Sequence, residues 1–392
     1  MLKGFKTELR IAEKHITKIH QSIGICRFLY NSYLAKNKEL YEMFKEEKID
    51  KKQAFISAID FDKYINNEVK VLDEFKWINE CGSKARKKSI VNAEMAFKRF
   101  FNGESKFPRF KKKKNQNVKI YFPKNNETDW TVERHRIKIP TLDFVELKEK
   151  GYIPTNARVI SGTVSMKAGR YYVSVLCDIV NYNDYSNISN EGIGIDLGIK
   201  DLAIVSNIDN PFKNINKTDE VRKLKKKLRR FQRQVSIKYE MNKDGKKFIK
   251  TKNIVKLESQ IRTIHQKLSN IRLNYAHQIT NILVKSKPEY ITIEDLNVRG
   301  MMKNRHLSKA IAEQNFNEFR RQLTYKCNWN NVELRVVDRY YPSSKMCSEC
   351  GAVNKELKLS DRTYICKECG SILDRDKNAS INLKNAQIYK VS

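Results

Sequence analysis

The sequence predicts an α/β multidomain protein: an N-terminal β domain with a helical insertion, then an α/β domain carrying a long helical hairpin and a four-cysteine module. Three observations predict it. Apolar residues recur every three to four positions over 12–103, every two over 107–180, and beyond that strands alternate with long helices. The 392 residues are 40% apolar with 18 Phe and 18 Tyr, enough to bury about two or three separate cores. Four of the eight cysteines fall in two CxxC pairs near the C-terminus.

The first lobe is expected over 1–185, with a small β domain built from 1–11 and 107–185 and a helical insertion at 12–106. In the insertion, "SIGICRFLYNSYLAKNKELYEMFKEEK" and "SKARKKSIVNAEMAFKRFFNG" have helical periodicity, and Ile90, Ala93, Phe97 and Phe100 form one face of the second. "VKIYF", "HRIKIP" and "VISGTVSMKAGRYYVSVLCDIV" alternate as strands do, with "KAGRYY" as a hairpin turn. "NYNDYSNISNEG" (181–192) is polar and aperiodic, which marks a linker.

The second domain is expected over 186–392. "GIGIDLGIKDLAIVSN" reads as two strands around a glycine turn, followed by a helical hairpin at 217–285. Val221, Leu224, Leu228, Phe231 and Val235 on one arm face Ile254, Leu257, Ile261, Ile264, Leu268, Ile271 and Tyr275 on the other, a seam of alternating three- and four-residue steps. Away from that seam stand Arg222, Lys223, Lys225, Lys226, Lys227, Arg229, Arg230 and Arg233, more charge than solubility needs. The chain carries a net charge of +33, so its surface is suited to a polyanion and the basic face reads as part of that contact. No apolar run is long enough to span a bilayer and "MLKGFKTELRIAEKH" is not a charged-then-apolar leader, so a soluble, cytoplasmic protein is expected. Cys26, Cys81, Cys177 and Cys327 stand singly among apolar neighbours, which fits a reducing compartment.

Cys347, Cys350, Cys366 and Cys369 are spaced CxxC, fifteen residues, CxxC, the pattern of a zinc ribbon, here expected over 344–372. Each CxxC makes a tight turn that offers two thiolates to one side, and Gly351 and Gly370 follow where the turn favours positive φ. Four thiolates leave zinc no open position, so the ion is structural and the chemistry must lie elsewhere. Asp196 ends the apolar strand "IGID", Glu294 ends "YITIE", and Asp374 and Asp376 open the helical run "NASINL". Carboxylates from three distant segments of a basic chain suggest a magnesium site, of two ions, acting on a phosphodiester. "IGIDLGIKDLAIVS" also resembles the first phosphate loop of the actin-like ATPase fold. That fold needs a second glycine-rich loop, which a chain with only 14 glycines does not supply.

The order "GIDLGIKDLAI", helical insertion, "ITIEDLNVRGM", CxxCG, CxxCG and "DRDKNASINL" resembles the RuvC-like nuclease half of TnpB (OrfB), the RNA-guided endonuclease family of insertion sequences, which is related to compact type V CRISPR effectors. "GICRFLYNSYL", "AFKRFFNGESKFPRFKKKK" and "VSMKAGRYYVSVL" resemble the N-terminal half of the same family, so the likeness covers nearly the whole chain. It implies an RNase H-like (RuvC) domain whose acids are Asp196, Glu294 and Asp376, binding Mg2+, with the zinc ribbon inserted before the last of them. The residues alone leave Asp374 and Asp376 undecided, and the family's "DRDxNA" pattern puts the role on Asp376. "NAS" replaces the commoner "NAA".

The resemblance also implies a guide RNA from the element's end and double-stranded target DNA, cut beside a short adjacent motif. Lys84, Arg86, Lys87, Lys88, Lys98, Arg99, Arg109, Lys111, Lys112 and Lys113, with Lys226, Arg229 and Arg230 of the hairpin, are the candidate nucleic-acid contacts. Arg339, Tyr340 and Tyr341 lie close to the ribbon, where the aromatics could stack on bases or pack in a core. The competing readings are a minimal type V CRISPR effector and a nuclease-inactive RNA-guided DNA-binding regulator. The latter would usually have lost an acid. A plain zinc-ribbon DNA-binding protein would not account for two acid-tipped strands.

Overall fold

A computed structural model describes residues 1–50, 52–113, 118–124, 126, 129–179, 191–358 and 361–392. It divides into two units, Met1–Asn181 and Tyr182–Ser392, and all but the end of the expected linker lies outside the described residues.

The first unit begins with β1 (Leu2–Arg10), α1 (Glu13–Lys45), α2 (Ala58–Tyr64) and α3 (Ser83–Phe101). Then come β2 (Val118–Pro123), β3 (Thr131–Val132), β4 (Arg136–Ile139), β5 (Asp143–Leu147), β6 (Arg158–Lys167) and β7 (Arg170–Asp178). The strands form one antiparallel sheet in the order β2-β6-β7-β1-β5-β4-β3, so the N-terminal strand lies inside a sheet whose other members follow the helices. At the β6–β7 turn Ala168 and Gly169 have φ of 52° and 78°, the positive pair that a two-residue hairpin requires. Helix α1 buries Ile19, Ile23, Cys26, Tyr30 and Tyr33, and α3 buries Ile90, Ala93 and Phe97, so the periodic faces meet one shared core. Cys26 and Cys81, expected as unrelated thiols, are buried together with their sulfurs 3.9 Å apart.

The second unit begins with β8 (Ile193–Leu197), β9 (Asp201–Val205), β10 (Phe212–Lys213) and α4 (Asp219–Met241). A small ribbon, β11 (Lys243–Asp244) and β12 (Lys247–Phe248), links α4 to α5 (Lys252–Lys285), which leads to β13 (Tyr290–Glu294). After these come α6 (Val298–Met301), α7 (Ser308–Gln314), α8 (Phe316–Asn330) and β14 (Glu333–Val337). The chain closes with β15 (Thr363–Ile365), β16 (Ile372–Asp374), α9 (Arg375–Lys384) and β17 (Lys390–Val391).

The main sheet has the order β10-β9-β8-β13-β14-β17, with β8, β13 and β14 parallel and the outer neighbours antiparallel, the RNase H-like arrangement. Ile195, Ile293 and Leu334 from its strands pack with Ile279 and Leu283 of α5 and Phe319 and Leu323 of α8. In the hairpin, Val221, Leu228, Ile264 and Leu268 are buried along the seam. One residue departs from the outward basic face: Lys225 turns toward α7, where Glu313 accepts from it at 2.6 Å and from Arg272 at 3.2 Å. Among the described residues no helix is long and apolar enough to cross a membrane.

Candidate active site and metal centre

The four cysteines come together as their spacing predicts. Their sulfurs all lie within 4.8 Å of one another, with Cys347 to Cys369 at 3.7 Å and Cys350 to Cys366 at 3.5 Å. A tetrahedron with metal–sulfur arms of about 2.3 Å has edges of about 3.8 Å, so the tetrad fits structural zinc. Gly351 and Gly370 donate to the Cys347 and Cys366 carbonyls at 3.0 and 3.1 Å, with φ of 78° and 74°, closing the two knuckles. Burial opposes ionisation of Cys347, but N–H groups of Cys350 and Glu349 and the Ser371 hydroxyl outweigh it and bring the thiol down to about 6. Cys350 is pushed up to about 12, against an N–H from Ala352, by the Cys366, Cys369 and Cys347 sulfurs around it.

The acids are delivered by neighbouring elements. Parallel strands β8 and β13 run in register from Ile193 opposite Ile291 to Ile195 opposite Ile293, so Asp196 and Glu294 follow side by side at the same sheet edge. That edge, outside the carboxyl ends of parallel strands, is where α/β sheets open a crevice. Helix α9 lies directly on β8 because Gly194 leaves room: a Cβ there would stand 2.1 Å from the Ser380 carbonyl oxygen and 2.3 Å from the Lys384 nitrogen. Lys377 fixes the first turn of α9 by donating to the Val205 and Ile208 carbonyls at 3.2 and 3.0 Å, and Asp376 sits in that turn.

Burial, then the charges of Glu294 and Asp376, push the Asp196 carboxyl up to about 8 against the opposing Arg375 guanidinium. Glu294 is also raised by burial, and the Ser343 hydroxyl, which donates to its Oε1, pulls the other way. Asp376 accepts two bonds from Arg375, at 3.0 and 2.8 Å, with Arg362 3.7 Å away. The Glu294 and Asp376 charges thus both reach Asp196, although the three carboxylates are not gathered as tightly as the four sulfurs. Among the described residues, the cysteine tetrad is the only group of three or more such side chains gathered within 4.8 Å. Asp374 is exposed and is the N-cap of α9: its carboxylate accepts from the Asp376 and Lys377 N–H groups, each at 3.0 Å.

Sequence reasoning missed Ser343, for which the string "YYPSSK" carries no signal of a buried hydroxyl. It also missed Asp295, which accepts from Arg320 at 2.6 Å and from Arg339 at 2.7 Å and so ties down the chain just after Glu294. Tyr340 is 86% exposed, whereas Tyr341 is partly buried and donates to the Asn382 carbonyl at 3.1 Å.

In the first unit, Lys88, Arg99, Lys111 and Lys112 line a groove of about 650 Å³ together with Arg27, Lys119, Tyr30 and Tyr121. The Lys111 ammonium lies 3.5 Å from the centre of the Tyr30 ring. Arg27 and Lys119 were missed because each stands alone in an apolar run, outside any basic cluster. Lys84, Lys87, Lys98, Arg109 and Lys113 are exposed outside the groove lining, Lys98 pairing with Glu94 at 3.1 Å. Arg86 is a correction: it is buried, and its guanidinium donates to the Ile78 carbonyl at 3.3 Å, because it falls on the core side of α3. Lys226, Arg229 and Arg230 are exposed on α4.

Three family models match successive stretches. Residues 178–305 match one described as "Probable transposase" of the OrfB_IS605 type, and 316–383 match a Cas12f1-like TNB domain. Residues 1–46 match a model described as a helix-turn-helix domain, although here they form one strand and one continuous helix. A Streptomyces pristinaespiralis protein named as a candidate RNA-guided DNA endonuclease is 27% identical over 97% of this chain and 88% of its own length. The similarly named InsQ of Escherichia coli (strain K12) is 29% identical over 97% of this chain and 91% of its own. Among solved structures, Cas12f1 in complex with sgRNA and target DNA matches with a TM-score of 0.57 and 14% identity, covering 100% of this chain and 99% of that one, a likeness of fold. With model matches in both units and relatives aligned over almost its full length, the chain is similar to the OrfB (TnpB) proteins of insertion sequences.

Proposed function

We propose that this protein is an RNA-guided DNA endonuclease of an insertion sequence, cutting double-stranded target DNA beside a short adjacent motif by magnesium-dependent phosphodiester hydrolysis. The observation that supports it is the placement of Asp196 and Glu294 side by side at the ends of parallel β8 and β13, with α9, which carries Asp376, packed on β8 at Gly194 and the Glu294 and Asp376 charges acting on Asp196. Relatives named as RNA-guided DNA endonucleases supply the guided part of the reading. In it, Asp196, Glu294 and Asp376 are magnesium ligands, and the crowding that raises Asp196 is relieved by a divalent cation. Two bound ions would supply an activated water and neutralise the departing oxygen. Ser343 holds Glu294, and the Arg375 guanidinium balances the Asp376 charge. The tetrad binds structural zinc and takes no part in bond breaking.

The first unit is the nucleic-acid-binding lobe of this reading, with its basic, tyrosine-lined groove on a phosphate backbone and the exposed arginines of α4 as a second contact. Sequence is read by base pairing with a guide RNA from the element's end, so the protein needs mainly backbone and shape contacts. The test is plasmid cleavage by the RNA-loaded protein in magnesium. Asp196→Ala, Glu294→Ala and Asp376→Ala should each lose cleavage by roughly thousands of fold while guide and target binding persist. Full cleavage by all three would remove the site, and cleavage that ignores the guide would remove the RNA. Sequencing the copurifying RNA distinguishes an element-end transcript from a repeat-array transcript, which would make the protein a type V effector instead.

A further inference from the structure

Two asparagines of α9, Asn378 and Asn382, are 0% and 2% exposed, one turn apart on the same helix face. Asn378 donates to the Met346 carbonyl at 2.7 Å and accepts from the Ser348 N–H at 2.9 Å, bracketing Cys347 on both sides. Asn382 donates to the Met346 carbonyl at 2.6 Å and to the Ser343 carbonyl at 2.7 Å. Only an amide does both jobs: a carboxylate at 378 would lose the donor, and one at 382 would face two carbonyl oxygens. Ser343, itself 5% exposed, donates its hydroxyl to Glu294. A loop that merely needed its carbonyls satisfied would not require the same helix to hold the first cysteine knuckle and the serine that bonds an acid 49 residues upstream.

We propose that Asn378, Asn382 and Ser343 are positioning residues that couple the zinc ribbon to the carboxylate cluster. Helix α9 then sets two of the three acids, Asp376 through its own first turn and Glu294 through Asn382 and Ser343. The ribbon's knuckle hangs from the same asparagines, so loosening it releases Ser343 and with it the orientation of Glu294. The inference rests on Glu294 being a metal ligand. Residues that orient a metal ligand are worth roughly ten- to a hundredfold in metal affinity or activity.

The test uses the full-length, zinc-loaded chain, with Mn2+ binding followed by the electron paramagnetic resonance of free Mn2+, and Glu294→Ala defining the background. Zinc content and guide-dependent cleavage are measured on the same samples. Ser343→Ala should weaken Mn2+ binding about tenfold or more and slow cleavage comparably, with zinc content and RNA affinity unchanged. Ser343→Thr, which keeps the hydroxyl, should recover most of both. Asn382→Ala should match Ser343→Ala in Mn2+ affinity while retaining zinc. If Ser343→Ala binds Mn2+ and cleaves like the parent protein while Glu294→Ala does neither, the coupling is wrong and the acid assignment stands. Unchanged Mn2+ binding in Glu294→Ala overturns both.

Discussion

Replacing Asp374 separates helix capping from metal ligation. Its carboxylate accepts the Asp376 and Lys377 N–H groups at 3.0 Å each, so Asp374→Ala removes an N-cap, a loss of about 1 kcal/mol. If all of that loss went into fraying the first turn of α9, where Asp376 sits, the population of correctly placed Asp376 would fall by no more than about fivefold. Asp374→Asn restores the cap without the charge and should cleave within about twofold of the parent. If Asp376 ligates metal as proposed, removing it instead forfeits several kcal/mol of transition-state stabilisation, roughly thousands of fold. The assay is the single-turnover rate of guided plasmid cleavage at saturating magnesium for Asp374→Ala, Asp374→Asn and Asp376→Asn. Loss of cleavage in Asp374→Asn as deep as in Asp376→Asn would refute the assignment, because a cap does not need the charge.

Cys366→Ser opens the sulfur tetrad and should lose zinc, thermal stability and cleavage together, checked by metal analysis and melting; a zinc-free variant with full cleavage would contradict the structural role. Arg86→Ala should cost about 1–3 kcal/mol of stability in urea while leaving the salt dependence of RNA binding unchanged, since Arg86 is buried on the Ile78 carbonyl. Arg99→Ala should do the reverse, lowering the salt slope by about one with little effect on stability. Burial lowers the Lys326 ammonium, which donates to the His277 carbonyl and the Thr280 hydroxyl, from 10.5 to about 8. A depressed lysine is a penalty fully present below pH 8 that fades as pH rises toward 10.5. Relative to Lys326→Met, the parent should therefore gain about 1 kcal/mol between pH 7 and pH 9 in urea melts. An unchanged difference would place Lys326 in water.

By itself, the sequence determined what local spacing determines. CxxC turns bring two sulfurs together within four residues, so Cys347, Cys350, Cys366 and Cys369 identified themselves before any fold was known. The hairpin seam was legible for the same reason, since Val221, Leu228, Ile264 and Leu268 repeat at the helical period. Apolar runs ending in Asp196 and Glu294 located the strand tips, but only the parallel β8–β13 pairing and the close approach of α9 at Gly194 brought the helix carrying Asp376 onto the same strands. Periodicity names a helix face without naming what packs on it, so Arg86 and Lys225 looked like free cations until the core and Glu313 claimed them. Ser343, Asn378 and Asn382 were silent in the sequence because a hydrogen bond depends on partners brought together across the fold, and no composition rule records where those partners arrive. Only the folded helix start shows what the two aspartates near it touch: the Asp374 carboxylate caps α9, while the Asp376 charge acts on Asp196, because which side of a first turn each carboxylate takes depends on where the helix begins.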